Sequence, residues 1–203
     1  MAAAGAMRAV LCTRNAHKVD ELAVLLPTLD LAPLDAAVEL PPESGDTFLD
    51  NARIKARAGH AANPDAWVLA DDSGLAVDAL GGAPGVHSAR FAGDDANDDD
   101  NNRLLLERLD GVPDDERGAA FVCVLVAIAP DGEELHTEGR VDGTIAHAPA
   151  GATGFGYDPL FVPTGERQTF AELGPAVKHQ VSHRARAAAG LASMLAARVS
   201  TPR

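Results

Sequence analysis

A chain of 203 residues with 46% hydrophobic residues is sized for one domain, or two closely packed lobes, around a substantial core. Its formal net charge of −13 argues against binding to a nucleic acid polymer, and no apolar run is long enough to span a membrane. The charge does not exclude a small polyanionic substrate, because a local cationic patch or a metal ion is enough to hold one.

The cysteines and the beginning of the chain indicate the compartment. Cys12 and Cys123 each lie inside an apolar run, which predicts buried, reduced thiols rather than a disulfide. Residues 1–13 lack the charged leading region and the long apolar centre of a signal peptide. We therefore expect a cytoplasmic protein.

The first half of the chain is expected to alternate strands and helices. Short apolar runs alternate with segments whose apolar residues recur at helical spacing. The predicted elements are a strand at 8–13, a helix at 17–26, a strand at 29–34, a helix at 47–62 and a strand at 67–71. The last strand is expected to stop at Asp71 and Asp72 and to enter a tight turn at Ser73 and Gly74.

The second half is expected to contain a β-hairpin between helices. The acid run at 93–102 is interpreted as a solvated loop that caps the following helix. The predicted elements are a helix at 103–109, a strand at 118–129, a turn at 130–134, a strand at 135–146 and a helix at 182–199. This order predicts an α/β protein with a mixed sheet. Since no linker separates independent parts, we expect a single domain over residues 1–203.

Polar residues gather at the first strand-to-helix junction, where Thr13, Asn15 and Lys18 lie. Backbone N–H groups at the start of a helix, together with a lysine, favour an anion such as phosphate. The Walker P-loop pattern is absent. Taken alone, the segment fits better with Asn15 as a helix cap and Lys18 in solvent.

Glu43, Asn51 and Lys55 form a second group. Asn51 and Lys55 are four residues apart and share a helix face, and Glu43 lies in the loop before that helix. A carboxylate, an amide and an ammonium placed in this way could hold a metal and a phosphate together. Ordinary polar residues on a surface helix are an equally good explanation of this segment.

The adjacent carboxylates Asp71 and Asp72 raise a question, because neighbouring carboxylates repel each other unless a cation or a proton accompanies them. Asp72 and Glu43 could share Mg²⁺, which prefers carboxylate oxygens and retained water. Ser73 could bring a backbone donor near a phosphate. The alternative is that the two aspartates are turn or capping residues, which is weaker here because they follow a buried strand.

A glycine-rich loop late in the chain carries Phe155, Tyr157 and Asp158. Aromatic side chains in such a loop suggest a flat ligand such as a stacked nucleobase, although they could equally anchor the loop to the core. His183 and Arg184 begin the last predicted helix and could donate to a carbonyl oxygen of a base. Cations are disfavoured at a helix N-terminus, which favours a functional role for this pair.

Together these clusters fit a magnesium-bound nucleoside triphosphate, and the same residues carry a family resemblance. The motifs are T-x-N-x-x-K at 13–18, E-x-G-x-T-F-x-x-N-A-x-x-K-A at 43–56, ADDSGLAVDALGGAPGVHSAR at 70–90, GFGYDPLF at 154–161 and SHR at 182–184. With these motifs in this order over nearly the whole chain, the sequence resembles the inosine triphosphate pyrophosphatase family, the RdgB/HAM1-like proteins.

The resemblance implies an elongated mixed β-sheet with flanking helices and two lobes around a central cleft. It also implies a Mg²⁺-dependent homodimer that converts ITP, dITP or XTP to the monophosphate and pyrophosphate, which removes deaminated purines from the nucleotide pool. By motif, Asp72 would be the general base, and Glu43 and Asp72 would hold the metal. The residues expected to bind substrate are Thr13, Arg14, Asn15, Ala16, His17, Lys18, Lys55, Ser73, Phe155, Gly156, Tyr157, Asp158, Lys178, His183 and Arg184.

Two positions depart from the family pattern. Arg14 stands where bacterial members usually have glycine, and Val177 precedes Lys178 where an acidic residue is frequent. Two other functions are alternatives to this one. A Maf-type pyrophosphatase, acting on modified pyrimidine or standard nucleotides, has different motifs. A nucleotide-binding sensor would not need a carboxylate that orients water.

Overall fold

A computed structural model of the chain describes residues 7–199. Residues 1–6 and 200–203 lie outside the described residues. The first of these ranges belongs to the segment 1–13, for which the sequence predicts no signal peptide. The strands and helices are β1 (Met7–Leu11), α1 (Ala16–Leu25), β2 (Leu29–Pro33), α2 (Phe48–Ala62), β3 (Trp67–Val77), α3 (Asp98–Arg108), β4 (Gly118–Ile128), β5 (Glu134–Ile145), β6 (Phe161–Pro163), α4 (Phe170–Val181) and α5 (His183–Val199).

The strands form a six-stranded sheet in the order β2-β1-β3-β4-β5-β6. β1 pairs in parallel with β2 and with β3, so that Leu11 lies opposite Pro33 on one side and Leu69 on the other. β5 and β6 are antiparallel. The expected α/β fold with a mixed sheet is therefore confirmed. No helix within residues 7–199 is both long and apolar enough to cross a bilayer.

The described chain divides into two compact units. The first comprises residues 7–72, 123–139 and 186–199, and the second comprises residues 73–122 and 140–185. Because successive side chains of a strand point to opposite faces, the first unit has two core layers. In one layer Leu11 and Leu69 pack with Leu22 of α1, and in the other Val68 packs with Ala52 of α2.

α2 lies unusually close to β1. Thr47 caps this helix by accepting a hydrogen bond from Asp50 N, and Asn51, Lys55 and Gly59 are buried at four-residue spacing. A Cβ atom at Gly59 would overlap the Sγ of Cys12. The glycine therefore permits the close approach, and it lies on the same helix face as Asn51 and Lys55.

The second unit has an aromatic core, although aromatic residues make up only 4% of the chain. The ring centroids of Phe121 and Phe161 are 4.7 Å apart, and those of Phe161 and Phe170 are 5.4 Å apart. Tyr157 and Leu160 pack in the same cluster. Three of the six phenylalanines are thus used to hold β4, β6 and α4 together.

Several local predictions need correction. β3 does not end in a turn at Ser73 and Gly74 but continues to Val77, because Leu75 and Val77 supply two further fully buried positions. The acid run caps a helix as expected, through a capping box between Asn97 and Asp100, but the helix begins within the run. β6 and α4 were not predicted. Cys12 and Cys123 are buried free thiols, as expected.

Candidate active site

Asp71 and Asp72 lie within β3 rather than at its end, and this position explains how two adjacent carboxylates coexist. Neighbouring residues of a strand point to opposite faces of the sheet. Lys18 of α1 is 2.8 Å from Asp71, and Lys55 of α2 is 3.4 Å from Asp72. Each buried carboxylate therefore meets an ammonium group from a different helix.

Asp72 belongs to a polar network that reaches the loop before α2. Lys55 Nζ is 2.5 Å from Glu43 Oε1 and so lies between Glu43 and Asp72. The side-chain amide of Asn51 donates to Asp72 Oδ2 over 3.3 Å, and its oxygen accepts from Gly45 N over 2.8 Å. Asn51 thus ties the Glu43 loop to β3, a role that its shared helix face with Lys55 did not reveal.

Burial and charge act in opposite directions on the two central groups. Burial raises the pKa of Asp72 above the ordinary aspartate value, and Lys55 opposes this rise. Burial alone would lower the pKa of Lys55, but the negative charges of Asp71, Asp72 and Glu43 together outweigh it and raise that pKa. Lys55 is therefore firmly cationic, while Asp72 binds a proton more readily than an exposed aspartate.

The start of α1 shows which of two explanations holds for the first polar cluster. Asn15 caps the helix, because its side chain accepts hydrogen bonds from His17 N and Lys18 N, and Thr13 Oγ1 accepts from Asn15 N over 3.2 Å. The capping explanation is confirmed for Asn15. Lys18 is not in solvent, since it pairs with Asp71 and its side chain is 14% exposed. A phosphate contact by this turn, including the backbone at Ala16, stays a prediction.

The side chain of Arg14 is committed to the protein. Its guanidinium donates to the carbonyl oxygens of Leu34, Asp35 and Val38, over 3.1, 3.1 and 2.6 Å. These residues begin the loop that leads to Glu43. Arg14 therefore clamps the β1–α1 turn to the loop after β2.

A second charged cluster surrounds Phe155 in the second unit. Lys178 Nζ is 2.6 Å from Asp158 Oδ2 and lies 4.4 Å from the centroid of the Phe155 ring. The guanidinium carbon of Arg184 is 5.6 Å from the same centroid, and Arg184 Nη2 donates to Ser73 Oγ. Cations at these distances from an aromatic ring are attracted to its face.

Tyr157 and His183 are core residues as well as site candidates. The Tyr157 hydroxyl donates to Ser88 O over 2.8 Å, and burial, assisted by the charge of Asp98, raises the pKa of this phenol. His183 is 3% exposed and stacks on Phe121 with a centroid distance of 4.7 Å. Of the two aromatic loop residues, Tyr157 anchors the loop, whereas Phe155 is only partly buried.

The predicted site residues thus gather in two groups. In the first unit Lys18, Lys55, Glu43 and Asp72 come together, and in the second Ser73, Phe155, Asp158, Lys178 and Arg184 do so. Sequence reasoning did not identify Asp71 as the partner of Lys18, because Asp71 was considered only as the chain neighbour of Asp72. It also missed Asp98 and Asn102 of α3, which form hydrogen bonds to Gly156 in the Phe155 loop. No local sequence signal marks these two residues.

Known proteins resemble this chain closely. The Ham1 family model matches residues 9–194. A dITP/XTP pyrophosphatase from Yersinia pestis is 52% identical over 184 residues, which cover 88% of this chain and 92% of that protein. A dITP/XTP pyrophosphatase from Mycobacteroides abscessus is 47% identical over 93% of this chain and 95% of its own length. The structure of a HAM1 protein from Coxiella burnetii superposes with a TM-score of 0.85 at 37% identity, covering 94% of this chain and 99% of that one. The resemblance inferred from the motifs is confirmed, and the chain belongs to the Ham1 family.

Proposed function

We propose that this protein is a Mg²⁺-dependent pyrophosphohydrolase that converts dITP, ITP or XTP to the monophosphate and pyrophosphate. One observation carries the proposal, namely the network in which buried Asp72 of β3 faces Lys55, Asn51 and the Glu43 loop. It combines a water-orienting carboxylate with cations for a phosphate chain. Relatives covering most of the chain bear the name dITP/XTP pyrophosphatase, which supports the same substrates here.

The donor set fits Mg²⁺ shared with a substrate rather than a metal held by protein alone. Mg²⁺ is usually bound by one or two carboxylates and completes its shell with water and substrate phosphates. No group of three or more His, Cys, Asp or Glu side chains within residues 7–199 is arranged to hold a metal by itself. Glu43 and Asp72 match the smaller requirement, and a divalent cation there would supply charge neutralisation for the phosphates.

The chain's own residues would bind the phosphates, and they would orient and deprotonate the attacking water. Lys18 and Lys55 would neutralise the negative charge that the phosphates carry during cleavage, a task for which fixed charges need no rearrangement. Asp72 would accept a proton from the water that attacks the α-phosphorus. Asn51 donates to Asp72 Oδ2 and Lys55 donates to Asp72 Oδ1, and these two contacts would fix the orientation of the carboxylate toward the water. The leaving group is pyrophosphate, so the cleaved bond joins the α-phosphorus to the oxygen that bridges the α- and β-phosphates.

The second cluster would recognise the base. Phe155 offers a ring face for stacking, and Lys178, His183 and Arg184 offer N–H donors that suit the 6-carbonyl of hypoxanthine or xanthine. ATP carries an amino group at that position, which would leave a donor unpaired at a cost of about 1–3 kcal/mol. The remaining predicted contacts, from Thr13, Arg14, Asn15, Ala16 and His17 to phosphate and from Ser73, Gly156, Tyr157 and Asp158 to the nucleoside, belong to this proposal.

We also propose a homodimer that works in the cytoplasm. The dimer is what the motif resemblance to the inosine triphosphate pyrophosphatase family implies. The free, buried thiols of Cys12 and Cys123 are in keeping with a reducing compartment. Light scattering coupled to size-exclusion chromatography tests the dimer directly, and a mass of 21.0 kDa would contradict it.

The deciding experiment follows the products in ¹⁸O-labelled water. Incubation with ITP and Mg²⁺ is expected to release pyrophosphate, not orthophosphate, with the label in the monophosphate because water attacks the α-phosphorus. Label in pyrophosphate, or release of orthophosphate, would overturn the proposed bond cleavage. ATP, UTP and TTP run in parallel test selectivity: faster cleavage of UTP or TTP than of ITP would favour the Maf-type alternative, and equal cleavage of ATP and ITP would refute the donor argument.

A further inference from the structure

The peptide units on both sides of Gly156 are held by α3. Gly156 N donates to Asp98 Oδ2 over 2.6 Å, and Gly156 O accepts from Asn102 Nδ2 over 2.9 Å. Asp98 and Asn102 are four residues apart and therefore share one face of the helix. The partners are 58 and 54 residues apart along the chain, so these contacts are purely tertiary.

These two side chains do not serve the helix itself. The capping box of α3 is formed by Asn97 and Asp100, and it satisfies the helix start without Asp98. Asn102 is 5% exposed, and its side-chain amide donates to the backbone of a distant loop. A buried amide committed in this way specifies the position of what it binds.

Gly156 adopts a backbone conformation that ties it to the position of Phe155. Its φ of 61° lies in the left-handed region that favours glycine, and it directly follows Phe155. Phe155 N donates to Asp158 Oδ2 over 2.9 Å, the same oxygen that pairs with Lys178. The Phe155 ring is thus fixed from the Asp158 side and, through Gly156, from α3.

We propose that Asp98 and Asn102 are positioning residues of the base-binding loop and that they set its selectivity for purines with a 6-carbonyl. This inference rests on the proposed function for the identity of the substrate. The two contacts to Gly156, which we call the brace, can be tested without any substrate. The two side chains act through Gly156 and need not touch the ligand. If these contacts are removed, the Phe155 ring and its cations no longer hold one arrangement, so a donor that would face the amino group of ATP can turn away to water and the discrimination against ATP falls.

The acid run offers matched variants for the test. Asp98→Ala removes the oxygen that accepts from Gly156 N, and Asp98→Asn keeps an accepting oxygen while removing the charge. Asp99→Ala is the control, because Asp99 is exposed in the same first turn and its loss has the same effect on the helix dipole. Asn102→Ala removes the second contact, and Asn102→Asp keeps the shape but presents an acceptor to Gly156 O.

Hydrogen exchange gives the readout that does not depend on activity. The Gly156 amide is expected to exchange about tenfold faster in Asp98→Ala than in wild type, as follows from losing one hydrogen bond, and to stay protected in Asp98→Asn and Asp99→Ala. Unchanged protection in Asp98→Ala would overturn the brace, whatever the substrate proves to be.

Steady-state kinetics give the second readout. The ratio of kcat/KM for ITP to that for ATP is expected to fall about tenfold in Asp98→Ala, Asn102→Ala and Asn102→Asp, mainly through KM, and to recover in Asp98→Asn. A change of the same size in Asp99→Ala, or an intact ratio in all variants, would overturn the selectivity role. If wild type fails to cleave ITP while the exchange result holds, the proposed function fails and the brace stands.

Discussion

Each unit contains a buried lysine–aspartate pair, and the two pairs differ in what surrounds them. In the second unit Lys178 and Asp158 are 2.6 Å apart, and the same carboxylate oxygen also accepts from Phe155 N. In the first unit Lys55 is 3.4 Å from Asp72 but only 2.5 Å from Glu43. In the second unit the lysine and the aspartate are thus in direct contact with each other, whereas in the first unit the lysine is shared between two carboxylates.

The charge balance around the pairs also has opposite signs. Around β3 the carboxylates of Glu43, Asp71 and Asp72 outnumber the ammonium groups of Lys18 and Lys55. Around Phe155, Lys178 and Arg184 outnumber Asp158. A buried ion pair is nearly neutral, so the additional charge decides which ligand is attracted. This difference agrees with the proposal that the first cluster binds a cation and the second the carbonyl oxygens of a base.

The largest expected effect comes from Asp72→Asn, which removes the proposed base but keeps its shape. We expect kcat with ITP to fall about 10²–10⁴-fold, the usual contribution of a general base, while the melting temperature stays near that of wild type. Asp30→Asn, at an exposed position of β2, is the control and should retain full activity. Near-normal turnover in Asp72→Asn would exclude Asp72 as base.

Removing each lysine tests the comparison through stability. Lys55→Met and Lys178→Met each leave a buried carboxylate without its ammonium partner, and we expect a loss of about 3–5 kcal/mol in the free energy of unfolding. Mg²⁺ should restore part of this loss in Lys55→Met, since Glu43 and Asp72 then depend on the divalent cation alone for charge neutralisation, but not in Lys178→Met. Urea unfolding with and without Mg²⁺ measures both, and an equal response would remove the distinction between the clusters.

The Arg14 clamp should have a smaller effect. Arg14→Ala removes three hydrogen bonds to backbone carbonyls, and because the residue is exposed we expect a loss of only about 1 kcal/mol in urea unfolding. Arg57→Ala is a suitable control, because that side chain is 69% exposed and its one ion pair with Glu134 spans 3.5 Å. If both variants lose the same stability, the clamp contributes nothing specific.

The smallest effect is expected at the cysteines. Burial raises the pKa of the Cys12 thiol to about 11, so at pH 8 its thiolate fraction is about 100-fold below that of a cysteine with the ordinary value. A colorimetric disulfide reagent should therefore detect no fast thiol in the folded protein and two after denaturation. A fast-reacting thiol at pH 8 that peptide mapping assigns to Cys12 would show that the layer between β1 and α2 opens readily.

Much of the fold follows from local pattern, and the exceptions have physical causes. α1 was predicted from apolar residues at helical spacing. β4 was predicted from a continuous apolar run, which it buries on both faces, and β5 from the turn that pairs it with β4. α4 was missed because Gly174, with a φ of 78°, and Pro175 interrupt the helix. The sequence does not predict the extension of β3, because adjacent carboxylates are typical of a strand end. In the structure, β-sheet alternation gives each carboxylate its own lysine.

The candidate site residues that lie within sequence motifs could be predicted. The tertiary contacts that hold these residues in place could not. Lys18, Lys55, Asp72 and Asp158 lie within recognisable motifs. The partner of Lys18, the amide link through Asn51 and the α3 contacts to Gly156 depend on chain segments that meet only after folding. In the same way, the phenolic anchor of Tyr157 on Ser88 O could not be told from a stacking role.

The contact between Gly59 and Cys12 links packing to chemistry. Lys55 lies one turn before Gly59 on the same face of α2, so the depth at which this helix rests on β1 also determines the reach of the lysine toward β3. Any side chain at position 59 would lift the helix and carry the ammonium group outward with it. Substitutions at position 59 are therefore restricted by the required position of the Lys55 ammonium group, although glycine has no chemical role of its own. We expect a Gly59 variant to lose thermal stability and turnover at the same time.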